Sequence, residues 1–217
     1  DAQLLLLDEP LVNLDYKLRE NLRIELQEIF ERREAIVVYT TTEPTEALML
    51  GGNVVVMDEG RVLQTGATPG VYHNPANTKV AEVFSDPPIN YLPCTVDGQT
   101  ARLGENIEFM LTNHLQFLPA GQYMFGIRSN HLSLNRTSSE DTEIRTKVQL
   151  AEINGSETFI HVNYDNSRLV VQEDGVYPHR MGTEISIYVH PSCFFVFDEA
   201  GVLVASPARY TIKKGLR

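Results

Sequence analysis

The sequence predicts an α/β segment over residues 1–89 followed by an all-β domain of barrel or sandwich type over residues 90–217. Three observations predict it. The first part alternates apolar runs of strand length with amphipathic stretches of helical period. The second carries seven or so short β-type segments separated by frequent turn signals. Between them stands Ser85-Asp86-Pro87-Pro88, where consecutive prolines forbid a continued helix and place the boundary near residue 90.

Leu4–Leu7 reads as a strand buried on both faces, and Asp8 and Glu9 emerge at its C-terminal end. The stretch from Asp15 to Arg33 reads as a helix. Leu18, Leu22, Leu26, Ile29 and Phe30 line one face, Asp15 can cap its start, and Glu28 and Arg32 lie one turn apart on the outside. Ile36–Thr40 is the next strand. A short helix over Glu43–Leu50 follows, with Pro44 in its first turn and Gly51-Gly52 as its stop. Asn53–Met57, Asp58-Glu59-Gly60 and Arg61–Thr65 form a β-hairpin. A helical pattern around Thr78–Phe84 leads to the double proline. Beyond it come Cys94–Arg102 folded about Asp97-Gly98, Tyr123–Arg128, Lys147–Ile153, Thr158–Tyr164, Leu169–Val171, Glu184–Val189 and Phe194–Asp198. Asn135–Asp141, rich in Ser, Thr and acid, predicts a flexible loop.

The 217 residues are 42% hydrophobic, enough for one large or two small domains with real cores. With 18 Lys+Arg against 29 Asp+Glu the net charge is -11, which repels phosphate backbones and argues against a nucleic-acid partner. Cys94 and Cys193 stand far apart with no C-x-x-C, so no disulfide framework or zinc site is expected and a reducing compartment fits best. The six histidines show no ligand spacing. The longest apolar run near the start falls far short of the roughly 18 residues of a membrane span. The opening Asp1-Ala2-Gln3, without Met or leader, predicts a piece of a longer protein. Arg128 beside His131 could form an anion pocket, or Arg128 could be a surface or interface residue. The basic tail from Lys213 to Arg217 carries no assigned role.

Chemistry concentrates at Asp8-Glu9. Open α/β sheets place ligand sites at the C-terminal edge of their strands. One carboxylate there can hold Mg²⁺, directly or through water, while the next accepts a proton from the attacking water or orients it. The plain alternative is a solvated acidic loop.

The segment from Leu4 to Asp15, with Asp8-Glu9-Pro10 at its centre, resembles the Walker B segment and D-loop of ATP-binding-cassette (ABC) ATPases. Val37–Ala47 resembles their switch segment, and Val54–Val62 the hairpin after it. Val71–Asn77 and Pro87–Pro93 look like the lead-in to the accessory domain of maltose-type importers. Gly126–Leu132 and Gly155–Phe159 resemble signature strands of that domain. The resemblance covers nearly the whole chain in order. It implies the C-terminal part of a RecA-like ABC ATPase core (1–89) followed by an OB-like (TOBE) regulatory barrel (90–217).

By this resemblance Asp8 is the Mg²⁺-associated carboxylate, Glu9 polarises the attacking water, and Asp15 is the D-loop aspartate that faces a partner subunit across bound ATP. The phosphate-cradling loop with its Lys, the glutamine loop and the Leu-Ser-Gly-Gly-Gln signature would lie upstream of Asp1. The chain alone is therefore expected not to hold ATP productively. Two positions depart from the pattern: Thr42 stands where a His normally reaches the γ-phosphate, and Val12 where a Ser is usual. Thr42 has two open readings, a cap on the Glu43–Leu50 helix or a residual phosphate contact. The run from Thr41 to Gly52 looks most like glycerol or polyol importers.

The resemblance implies an ATP- and Mg²⁺-dependent importer subunit on the cytoplasmic face of a bacterial inner membrane. A second ATPase subunit, identical or not, and membrane permease subunits would be its partners, with a regulatory protein at the β domain. Two alternatives stand beside it: a non-catalytic dimerisation or regulatory module with a degenerate site, and an independent metal-dependent phosphohydrolase.

Overall fold

The computed structural model describes residues 3–32 and 36–207. The chain divides into two compact units between Val71 and Tyr72, ahead of the Pro87-Pro88 turn where the sequence changes character. The expectations for Asp1-Ala2, for Arg33 and for the basic tail lie outside the described residues, as does the Arg32 side chain.

In the first unit β1 (Leu4–Asp8) pairs in parallel with β2 (Ile36–Thr40), Leu4 against Ile36 through Asp8 against Thr40. α1 (Tyr16–Arg32) runs between them in sequence. Asp15 caps it: its Oδ1 accepts the Leu18 N–H at 3.0 Å and its carbonyl the Arg19 N–H at 2.9 Å. Leu22, Leu26 and Phe30 of the apolar face are half-buried, whereas Leu18 and Ile29 stay exposed.

The four-leucine run is not buried on both faces. Leu5 and Leu7 are half-buried, but Leu4 and Leu6 are 50% and 67% exposed. The physical reason is the two-stranded sheet, in which Leu4, Leu6, Ile36 and Val38 share an uncovered face.

α2 (Pro44–Leu50) ends on Gly51, whose φ of 68° suits glycine and whose N–H reaches the Ala47 carbonyl. β3 (Asn53–Asp58) and β4 (Arg61–Ala67) close a hairpin through Glu59-Gly60. Both turn residues have positive φ, 47° and 74°, as a two-residue turn matching the strand twist demands. α3 (Thr68–His73), which the sequence did not announce, follows at once.

The second unit begins with α4 (Thr78–Val83), capped by Asn77 accepting the Val80 N–H at 2.9 Å. Eleven strands follow among the described residues, where seven or so were expected. They are β5 (Asn90–Asp97), β6 (Thr100–Leu103), β7 (Ile107–Met110), β8 (Gly121–Ile127), β9 (Leu132–Ser133), β10 (Thr142–Ile153), β11 (Glu157–Tyr164), β12 (Ser167–Asp174), β13 (Glu184–Val189), β14 (Phe195–Phe197) and β15 (Leu203–Ala205). They form a six-stranded sheet, β15-β14-β8-β5-β6-β7, and a five-stranded sheet, β12-β11-β10-β13-β9. The two enclose one core: Leu92, Leu103, Phe125 and Phe194 from one side meet Ile144, Ile160, Val171 and Ile187 from the other. This is an all-β domain of two sheets around one core, within the barrel or sandwich class expected. Gly126 is closely packed: a Cβ there would stand 3.1 Å from the Phe197 ring and 3.2 Å from Ile89, so those side chains would have to give way slightly.

Two expectations fail in this unit. Asn135–Asp141 is tied rather than loose, because the buried Asp141 carboxylate accepts the Thr137 N–H and Oγ1–H and the Ser138 N–H at 2.7–3.0 Å. Arg128 is neither an anion pocket nor a surface residue. It is 5% exposed, donates to the carbonyls of Phe84 and Tyr72 and to Ser85 Oγ, and lies over the Tyr72 ring at 3.9 Å. His131 remains exposed. The fork of the guanidinium thus ties the segment before β5 to the end of β8.

Arg128→Met should therefore destabilise this unit, since a buried carbonyl left without its donor costs about 1–3 kcal/mol. Denaturant titration is expected to show a lower midpoint with unchanged slope. An unchanged midpoint would mean the freed carbonyls find water at no cost.

Candidate functional site

The first unit turns sharply after β1. The Glu9 N–H donates to the Thr40 carbonyl at 3.2 Å and to Thr40 Oγ1 at 3.0 Å. The Thr40 hydroxyl in turn donates to Asp8 Oδ1 at 2.6 Å. One hydroxyl at the end of β2 therefore fixes both carboxylate residues at the end of β1. Glu9 adopts a φ of 43° and Asn13 one of 62°, uncommon for residues with a side chain and frequent where a site holds its backbone against preference. The Glu9 carbonyl accepts the Val12 N–H at 3.2 Å, completing the turn.

Glu9, Leu11, Val12, Thr41, Thr42 and Glu46 share the lining of a cavity of about 30 Å³ with Arg19 and Glu43. That is room for one water molecule. The structure thus brings Glu9, Thr42 and Val12 together. Asp8 stands apart from this lining, at the strand edge, with its Oδ1 held by Thr40. Asp15 does not line it either; its carboxylate is engaged as the α1 cap.

The cap reading of Thr42 fails. Glu43 occupies the N-cap position of α2 without a side-chain capping bond, and the hydroxyl that serves this end of the helix belongs to Thr41, accepting the Glu43 N–H at 2.9 Å. Thr42 is exposed and makes no hydrogen bond among the described residues.

Sequence reasoning did not single out Thr40, Arg19 or the group around Glu46. Glu46 is 4% exposed and accepts from Tyr39 Oη at 2.8 Å, Thr41 Oγ1 at 2.7 Å and Arg23 at 3.4 Å. Burial first, and then the bond to Glu46, pushes the Tyr39 phenol well above its ordinary pKa, so it stays a proton donor. The signal for Glu46 was present as an acidic residue in the first turn of α2, where the helix dipole favours it.

No group of three or more His, Cys, Asp or Glu side chains gathers to hold a metal among the described residues, so a cation here would draw on Asp8 and on oxygen ligands from elsewhere. Two carboxylates at a strand edge, one with an oxygen committed to Thr40, leave oxygen ligands of the kind Mg²⁺ prefers.

No protein-family model matches the chain. Among curated proteins it is 34% identical over 212 residues to the maltose/maltodextrin import ATP-binding protein MalK of Yersinia pestis, covering 93% of this chain and 56% of that protein. It is 33% identical over 201 residues to the uncharacterized ABC transporter ATP-binding protein y4oS of Sinorhizobium fredii, covering 91% and 53%. With the uncharacterized ABC transporter ATP-binding protein YcjV of Escherichia coli it shares 30% over 206 residues, covering 91% and 56%. The chain spans about half the length of the curated relatives it matches. A solved structure of the molybdate-binding protein ModG aligns with 49% of the chain at 12% identity and a TM-score of 0.39, too slight a likeness to bear on the fold. Over more than nine-tenths of its length, then, the chain is a homologue of ABC transporter ATP-binding proteins.

Proposed function

We propose that this chain is part of an ATP-hydrolysing importer subunit for a sugar or polyol, with residues 1–89 contributing to the ATPase domain and 90–217 forming its regulatory barrel. The observation that carries this reading is the cavity whose lining Glu9 shares with Thr42, with the neighbouring Asp8 held at the strand end by Thr40. Asp8 would hold Mg²⁺, directly or through water, and the ion would supply charge stabilisation at the phosphates. Glu9 accepts the proton of the attacking water, which the cavity has room to seat. Thr42 offers a hydroxyl toward the γ-phosphate, shorter than the imidazole usual in the family. Asp15, while capping α1, lies on the segment that faces a second ATPase subunit. The subunit would sit on the cytoplasmic face of the inner membrane against permease partners. The maltose import named for one relative, together with the glycerol-like run from Thr41 to Gly52, points to a polyhydroxylated solute.

Turnover by the intact subunit assembled with its permease tests the reading: hydrolysis should need Mg²⁺, rise with solute, and vanish with chelator. No Mg²⁺-dependent turnover in that assembly would overturn it. The chain of 217 residues by itself has no Gly-rich loop before residue 50 to cradle phosphates. Calorimetry with Mg-ATP should accordingly show no tight binding, and a submicromolar dissociation constant would refute this expectation.

The reading as a degenerate dimerisation module is favoured by Thr42 and Val12 alone. Solute-stimulated turnover in an assembly whose other site is disabled excludes it.

A further inference from the structure

We infer that Glu46 is a positioning residue for hydrolysis: its buried carboxylate, holding Thr41 and Tyr39, fixes where Thr42 stands in the cavity lining it shares with Glu9. This rests on the ATPase reading above and extends it to a residue of the switch-like segment to which that reading gives no role.

The argument starts from Thr42, which has no hydrogen bond of its own among the described residues. Its place is therefore set by its backbone neighbours. Thr41 is held at both ends of its hydroxyl: the proton goes to Glu46 Oε2 at 2.7 Å and a lone pair accepts the Glu43 N–H at 2.9 Å. An alcohol that must donate in one direction and accept from another has one orientation left. The same Oε2 takes the Tyr39 hydroxyl at 2.8 Å from the strand that delivers this segment.

The other oxygen faces α1. Glu46 Oε1 accepts from Arg23 at 3.4 Å, and Arg23 is itself held by Glu20. One carboxylate, 4% exposed, thus joins α1, β2, the Thr41-Thr42 corner and α2. Hydrogen bonds to a charged acceptor are the stronger class, and a buried network is stiff when its members are satisfied. An amide in this place cannot reproduce it. One end of a Gln side chain accepts and the other donates, so either the two hydroxyls or Arg23 would meet an N–H.

A merely structural role would stabilise α2 without touching hydrolysis. The two are separated in the full-length subunit assembled with its permease, using Glu46→Gln, Tyr39→Phe as the gentler variant should Glu46→Gln fold poorly, Thr41→Val and the Glu46→Gln/Thr41→Val double variant. Turnover is measured across Mg-ATP concentration, and amide hydrogen exchange at Glu43 and Glu46 is measured on nucleotide-free protein.

Misplacing a reacting group by an ångström can cost up to about 100-fold. Glu46→Gln is expected to lower kcat by about 10- to 100-fold with KM within about twofold, and Tyr39→Phe to lower it in the same sense by less. Exchange at the two amides should accelerate in both. Because Glu46 acts through Thr41, the double variant should be no slower than the worse single one. Wild-type kcat in Glu46→Gln, additive losses in the double variant, or unchanged exchange would each overturn the inference. Glu9→Gln run alongside tells the two readings apart. If that variant keeps full turnover, the ATPase reading fails, and the exchange measurement alone decides whether Glu46 fixes the Thr41-Thr42 corner.

Discussion

In the intact subunit Glu9→Gln is expected to lower ATP turnover by about 10²–10⁴ while leaving Mg-ATP binding intact. The structure makes this a clean substitution. The backbone of Glu9 is held by its own N–H to the Thr40 carbonyl and hydroxyl, and its turn is closed by the Val12 N–H. None of these bonds uses the Glu9 carboxylate. An amide of the same shape keeps the corner and the cavity, and loses only the capacity to take a proton from a water seated there. Asp8 keeps its bond to Thr40, so under the proposed reading the substitution spares the cation's ligand. The measurement is steady-state turnover beside nucleotide affinity, in an assembly whose second site is disabled. Wild-type turnover under those conditions would remove Glu9 from the catalytic role and leave the Asp8-Glu9 pair as a solvated acidic corner.

The same corner shows what could be read from the sequence and what could not. β2 and the β3–β4 hairpin follow from local rules: apolar β-branched runs bounded by Thr, Gly and a two-residue turn that needs positive φ twice. Asp8-Glu9 stood out as a candidate because two carboxylates directly after an apolar strand have few structural uses, and the structure places the pair at the end of β1, fixed by Thr40. Three consecutive threonines defeated the local rule. Any of Thr40, Thr41 and Thr42 could serve a helix start or a strand end; the register of β1 against β2 gives Thr40 to Asp8, and the turn into α2 gives Thr41 to Glu46.

Long-range partners hid the rest. Arg128 reads as a surface cation until Phe84 and Tyr72 present their carbonyls from more than 40 positions away. Asn135–Asp141 reads as polar and loose until Asp141 gathers its donors. The run from Leu4 to Leu7 reads as doubly buried because composition cannot say how many strands stand beside it.

The remaining large effect is expected at Thr42, where the chain departs from the family it resembles. With the capping role assigned to Thr41, Thr42→His removes no hydrogen bond among the described residues. The melting temperature should stay close to that of the unchanged protein, since an exposed substitution away from caps and cores is usually worth under about 0.5 kcal/mol. The catalytic effect is a different matter. Thr42 lines the cavity with Glu9, and an imidazole there extends the reach of the donor toward charge that develops on the γ-phosphate. One well-placed donor to a developing charge is worth about 10²–10³ in rate when the rest of the site is in register. Turnover in the intact subunit is therefore expected to rise, by up to that factor, with little change in stability. Measuring rate and melting temperature on the same pair of proteins decides the matter. A rate that does not move would show that position 42 lies out of reach of the phosphate, and a rate that falls together with the melting point would show that the corner held by Glu46 cannot accommodate the ring.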